Sequence, residues 1–197
     1  ADKLFINTAG MGAIPSDIHW GAATLTPGDL LIVSGTLGDH GATILNLREQ
    51  LGLDGELQSD CAVLTPLIQS LRPIAGVKAL RDATRGGVNA VAHEFAATSG
   101  YGVEIHEQNI PLKDTVRGVC ELLGLDALNF ANEGKLMIGV TREAAEEVLA
   151  ALRAHPLGRD AAIIGEITER RGVRVAGLYG VKRTLDLPHA EPLPRIC

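Results

Sequence analysis

Twice in this chain a short apolar run ends in closely spaced glycines and passes at once into a helical pattern. Leu30-Leu31-Ile32-Val33-Ser34 leads through Gly35-Thr36-Leu37-Gly38 into residues 40–50, and residues 77–80 lead through the 81–87 turn into a helix reaching about residue 97. A strand that turns tightly into a helix demands a layered fold, because the helix must return its apolar stripe to the sheet. Glycines at such a turn let the backbone bend sharply and let another group approach closely. The rest of the pattern agrees. Residues 4–8, 102–106, 136–140, 162–167 and 173–176 read as strands, and 61–71, 114–123 and 142–154 as helices. The last helix carries Ala145, Val148, Leu149 and Leu152 on one stripe, with Thr141 as its expected N-cap. The expected fold class is α/β (α+β), a mixed sheet packed with helices.

Composition narrows the function. Aromatic residues make up 3% of the 197, so aliphatic side chains must fill the core. A formal charge of -6 and the lack of a basic run argue against a nucleic-acid or anionic-membrane surface. No apolar stretch approaches the roughly 20 residues that span a bilayer. Cys61, Cys120 and Cys197 are odd in number and widely spaced, which fits neither a disulfide framework nor a zinc site and points to a reducing cytoplasm. Cys61 and Cys120 lie in helical patterns beside Leu and Val and are expected in the core. The histidines show no ligand spacing, so no histidine metal site is expected. The start lacks both an initiator Met and a secretory signal, an expectation of processing or of a fragment.

Four segments could carry chemistry. In Arg81-Asp82-Ala83-Thr84-Arg85-Gly86-Gly87-Val88-Asn89 a strand ends and a helix opens. Free N–H groups at a helix start attract anions, and Asp82 could hold a cation or orient a phosphate-binding arginine. The same residues also read as a plain β-to-α turn capped by Asp82. In Phe130-Ala131-Asn132-Glu133-Gly134-Lys135-Leu136 a carboxylate sits at the mouth of a strand, as a general base raised by burial or as an exposed polar turn. Gly35–Gly41, with Asp39 and His40, repeats the glycine-rich theme more weakly. Finally, residues 185–197 contain Pro188, Pro192 and Pro194, lack a helical period and end in Pro194-Arg195-Ile196-Cys197. Such a tail favours extended backbone and reaches on the order of 40 Å. A thiol at its tip reads as a carrier or as an incidental terminal cysteine.

Together these segments resemble the HypE family of hydrogenase-maturation carbamoyl dehydratases, within the PurM-like superfamily that includes aminoimidazole ribonucleotide synthetase and selenophosphate synthetase. The resemblance runs from Ala1 to Cys197. It rests on the D-x-T-x-G-G signature at Asp82, Thr84, Gly86 and Gly87, on N-E-G-K at 132–135, and on the P-R-I-C ending at 194–197. It implies residues 1–15 as the last strand of a missing amino-terminal domain, 16–184 as the PurM-like carboxy-terminal domain, and 185–197 as a flexible tail. It implies Cys197 as carrier of a carbamoyl group and Glu133 as the base that takes the amide protons. Asp82, Thr84, Arg85, Gly86, Gly87 and Asn132 become the nucleotide-binding set, with no metal ligand in this chain.

The implied reaction uses ATP to phosphorylate the carbamoyl oxygen, and loss of phosphate leaves a thiocyanate. The cyanide would serve the iron centre of [NiFe] hydrogenase. The implied partners are the carbamoyltransferase HypF, the HypC–HypD scaffold and a second copy of the complete protein, all in the cytoplasm. Magnesium would come mainly through the absent amino-terminal domain, so this chain by itself is expected to be inactive. Two alternatives differ in class: a partner-docking module without catalysis, and another ATP-dependent synthetase such as one for selenophosphate, against which the terminal cysteine argues.

Overall fold

Leu30–Val33 is apolar at every position because both faces of this strand are covered. In the computed structural model, which describes residues 7, 9–53 and 57–187, Leu31 and Val33 point into one core and Ile32 into another. Alternation of side chains across a strand puts neighbours on opposite faces, so a strand covered twice loses its polar half.

Among the described residues, seven strands form one mixed sheet: β1 (Leu30–Val33), β2 (Val77–Asp82), β3 (Gly102–His106), β4 (Leu136–Val140), β5 (Ala162–Thr168), β6 (Gly172–Ala176) and β7 (Lys182–Thr184). Their order is β2-β4-β1-β5-β3-β6-β7. Only β3 and β6 pair in parallel, and the other pairs are antiparallel. The five α-helices among the described residues are α1 (Asp39–Glu49), α2 (Thr65–Leu71), α3 (Gly87–Ser99), α4 (Asp114–Leu123) and α5 (Ala145–Ala154).

The helices take both sides of the sheet. Val88, Val91 and Phe95 of α3 pack with Leu31, Val33, Val103, Ile105 and Val175. Leu67 and Leu71 of α2 and Val148 and Leu152 of α5 cover Ile32, Ile138 and Val140 from the other side. A third cluster joins α1 to α4 around Phe130, which is fully buried. With few aromatic residues available, this one ring fills the space between two helices. Each buried Leu, Ile, Val or Phe side chain contributes roughly 1.5–3 kcal/mol.

Several expectations need correction. Helix α2 begins at Thr65 rather than at 61, with a proline at its start, so Cys61 is exposed instead of packed. Cys120 is buried as expected, and burial, reinforced by Asp126, pushes its thiol up to about 11. Thr141 precedes a 3-10 turn rather than α5 and makes no side-chain cap bond. The expected strand at 4–8 falls largely outside the described residues. Residues 9–15 are exposed and have no regular structure.

The domain also runs beyond residue 184. Leu185 is 4% exposed, belongs to the main core and donates its N–H to the Val173 carbonyl. Strand β7, which leads into it, has no apolar residue and every position exposed, so periodicity could not reveal it.

Candidate active site

The antiparallel register brings three of the sequence segments to one end of the sheet. Val33, the last residue of β1, faces Met137, and Asp82, the last of β2, faces Leu136 at the start of β4. The loops leaving β1 and β2 and the loop entering β4 therefore emerge side by side.

Buried hydrogen bonds stitch them. The Asn132 side chain accepts from Gly38 N–H at 2.8 Å and donates to the Ala83 and Phe130 carbonyls, each at 3.0 Å. Its own N–H donates to the Ala83 carbonyl. Asn132 is fully buried and both amide hydrogens are used, so it has no surface to offer a nucleotide. The expectation that it touches the ligand is replaced by a bracing position between the two glycine-rich turns. An unpaired buried amide costs about 1–3 kcal/mol, which is why an asparagine with three partners suits the position.

Asp60, which no motif announced, completes the third loop. Its carboxylate accepts from Glu133 N–H at 3.1 Å and from Lys135 Nζ at 3.0 Å. The Lys135–Asp60 pair is almost wholly buried, with side chains 11% and 3% exposed. Gly134 is needed here because a Cβ would collide with the Asp60 carbonyl. Lys135 is thereby occupied. The Glu133 side chain is half-buried and has no hydrogen-bond or ion-pair partner among the described residues. A carboxylate left in that state can accept a proton from whatever enters beside it.

The 82–87 turn presents a different chemistry. Asp82 accepts from the Thr84 hydroxyl at 2.8 Å and pairs with Arg81, whose Nε also donates to Glu94 at 2.8 Å. Burial opposes the charge on Asp82, but the Thr84 bond and the Arg81 guanidinium outweigh it and hold its carboxyl below the usual range. Gly86 and Gly87 both adopt positive φ, 76° and 60°, and α3 starts with no side-chain cap and no acid in its first turn. Arg85 and Gly86 are exposed. The result is an uncapped helix start beside an arginine, a setting that favours an anion.

Asp82, Thr84, Arg85, Gly86, Gly87, Asn132 and Glu133 thus share one end of the sheet, while Cys197 lies outside the described residues. Elsewhere, Glu104, His106 and Glu166 could together hold a cation, but they sit toward the opposite end, where Leu30 faces Glu166. Lys182 already pairs with Glu104 at 2.8 Å and Arg142 with Glu166 at 2.7 Å. That group reads as an ion-pair network.

Residues 26–177 match the family described as AIR synthase related protein, C-terminal domain. The chain belongs to that family. Among members of known name, the carbamoyl dehydratase HypE of Escherichia coli strain K12 is 82% identical over 196 residues, covering 100% of this chain and 58% of its own length. The chain therefore spans less than two thirds of that relative. The crystal structure of a HypE in complex with ATP superposes with a TM-score of 0.85 at 36% identity, over 90% of this chain and 55% of that one. A HypE–HypF complex structure gives 0.82 at 40%, over 85% and 55%. In the AIR synthase related domain seen here, no helix among the described residues is long and apolar enough to cross a membrane.

Proposed function

We propose that this chain is the carboxy-terminal portion of a cytoplasmic carbamoyl dehydratase, and that the complete protein makes the cyanide ligand of [NiFe] hydrogenase on its own terminal thiol. The observation that carries this reading is the convergence, at one sheet end, of an uncapped anion-attracting helix start with a half-buried carboxylate that has no partner among the described residues. The likeness to HypE, including one with ATP bound and one joined to HypF, supports it.

The chemistry balances on these residues. A carbamoyl group on the Cys197 sulfur has a poor leaving group in its oxygen. That oxygen attacks the γ-phosphorus of ATP and ADP departs, while Glu133 takes one N–H proton. The C–O bond then breaks, the electron pair leaves with phosphate, the second N–H proton goes to that departing phosphate, and S–C≡N remains. Gly86 and Arg85 face phosphate, Gly87, whose N–H already donates to the Thr84 carbonyl, shapes the turn that lets it approach, Thr84 fixes Asp82, and Asn132 keeps the two turns in register as a positioning residue. HypF supplies the carbamoyl group, and the HypC–HypD scaffold accepts the cyanide. The complete protein acts as a homodimer.

Magnesium does not fit the residues at this site. The Asp82 carboxylate is engaged by Arg81 and Thr84, and Asp60 by Lys135 and the loop backbone. Its ligands would come from outside this chain, in the amino-terminal domain.

Intact-mass measurement on the complete protein tests the proposal. With HypF, carbamoyl phosphate and ATP, wild type should gain a carbamoyl mass and then lose one water. Cys197→Ala should show neither change, and Cys61→Ser should behave as wild type, which matters because Cys61 is exposed. Glu133→Gln should stop at the carbamoyl stage, slowed on the order of 10²-fold or more. A carbamoyl mass that persists on Cys197→Ala would defeat the carrier assignment.

A further inference from the structure

The proposed reaction carries its substrate on a tail, and the residues just before that tail are held by the domain. After β7, Leu185 inserts into the main core at 4% exposure. Its N–H donates to the Val173 carbonyl at 2.9 Å, and His93 Nε2 donates to its carbonyl at 2.7 Å. A carbonyl only accepts, so this contact assigns the proton to Nε2. One residue on, Asn89 Nδ2 donates to the Asp186 carbonyl at 3.0 Å and to Asn129 Oδ1 at 2.8 Å. Asn89 is fully buried.

Both clamping residues stand on α3, the helix that opens at Gly86-Gly87. Asn89 lies within its first turn, about 4.5 Å along the axis from Gly86 at 1.5 Å per residue. Through Asn129 the same side chain reaches the loop that continues to Asn132 and Glu133. The root of the tail is thus bonded directly to α3, by residues 92 and 97 positions away in sequence, and only through Asn89 and Asn129 to the loop that carries Glu133.

We propose that His93 and Asn89 form a pivot that sets the point and direction at which the carbamoyl-bearing tail leaves the domain, next to the phosphate-binding turn. This rests on the dehydratase reading above. Ten residues separate the anchor held by Asn89 and His93 from the end at Cys197, a contour of on the order of 35 Å at roughly 3.5 Å per residue, which bounds how far the thiol can lie from that anchor. Length by itself matters little. Freeing residues 185–187 lowers the effective concentration of the thiol less than about 1.5-fold, by the three-halves power of tail length. A pivot that also fixes direction predicts more.

The test uses the complete protein, carbamoylated on its tail. His93→Leu removes the donor to Leu185 and should slow single-turnover dehydration about fivefold, the weight of one hydrogen bond. It should also speed hydrogen exchange at the Leu185 amide. His93→Gln, which returns an N–H donor, should restore both. In a second arm, Cys197→Ser protein is given a synthetic S-carbamoyl peptide of the 188–197 sequence. There His93→Leu should leave the rate unchanged, because no tether is involved. A tethered rate within 1.5-fold of wild type overturns the pivot. So does an equal fall with tethered and untethered substrate, which means damage to the ATP site. Unchanged Leu185 exchange in His93→Leu overturns it from the structural side. If wild type itself never loses water, the dehydratase reading fails and takes the pivot with it, even where exchange shows the root held.

Discussion

The two glycine-rich strand-to-helix turns look alike in sequence and are opposite in the fold. The turn after β1 is sealed: Leu37, Gly38, Asp39, His40 and Gly41 are all buried, and Phe130 packs on both glycines. Asp39 occupies the first turn of α1, accepts from Thr36 at 2.6 Å and pairs with Lys113 at 3.1 Å. The helix start is therefore already neutralised from within. The turn after β2 leaves Arg85 and Gly86 exposed, and α3 has no acid in its first turn. A helix N-terminus attracts an anion only if the chain has not supplied one itself. The first turn spends that attraction on Asp39 and folds the domain. The second has no acid in its first turn, which is what the proposed phosphate contact needs.

The largest expected effect probes what each glycine touches. At Gly87 a Cβ would lie 2.5 Å from both the Leu128 and Phe130 carbonyl oxygens. At Gly38 the nearest atoms are side-chain carbons, Val116 Cγ1 at 2.9 Å and Phe130 Cδ2 at 3.2 Å. Backbone yields less readily than side chains, and both positions carry positive φ. Gly87→Ala should cost about 3 kcal/mol in urea unfolding and Gly38→Ala about 1–2 kcal/mol. Equal losses would erase this part of the contrast.

A smaller effect separates folding from binding. Asp39→Ala strands the Thr36 hydroxyl and should cost about 1–2 kcal/mol of stability, with ATP affinity of the complete protein unchanged. Arg85→Ala should do the reverse, leaving stability within about 0.5 kcal/mol and weakening ATP about tenfold. Calorimetric titration beside unfolding curves reads both. Lost ATP binding in Asp39→Ala would make the first turn a ligand site too.

The smallest effect is electrostatic. Asp82 has its folded pKa lowered, so its contribution to stability is present above the ordinary carboxylate value and is lost as pH falls through the folded value. Its side chain is 44% exposed, so solvent screening keeps this below about 1 kcal/mol. Thr84→Val removes one of the bonds that lower it. The stability gap between variant and wild type should be wider near pH 6 than near pH 3, and a gap that widens on acidification would reverse the sign assigned here.

Much of this was readable beforehand, and for a reason. β1 through β6 and helices α1, α3, α4 and α5 follow runs and stripes whose period is a property of the local backbone. α2 was placed four residues early, because Cys61-Ala62-Val63-Leu64 is apolar enough to extend a helical pattern that Pro66 in fact starts. The glycine pairs and the Asn132-Glu133 dipeptide marked the candidate site, since few residue types tolerate such turns.

What the sequence determined, then, is which segments become strands and helices and which turns can approach a ligand, because those follow from neighbours in the chain. What only the tertiary structure decided is which side chains are already taken. Asn132 is consumed by Gly38, 94 residues away, and Lys135 by Asp60, 75 away. Asp39 is claimed by Lys113, and Leu185 is drawn into the core beside His93. Each of these removes a candidate or reveals one, and none leaves a period or a motif. A hydrogen bond depends on position in space, and for these pairs position is set by how the sheet and its covering helices assemble.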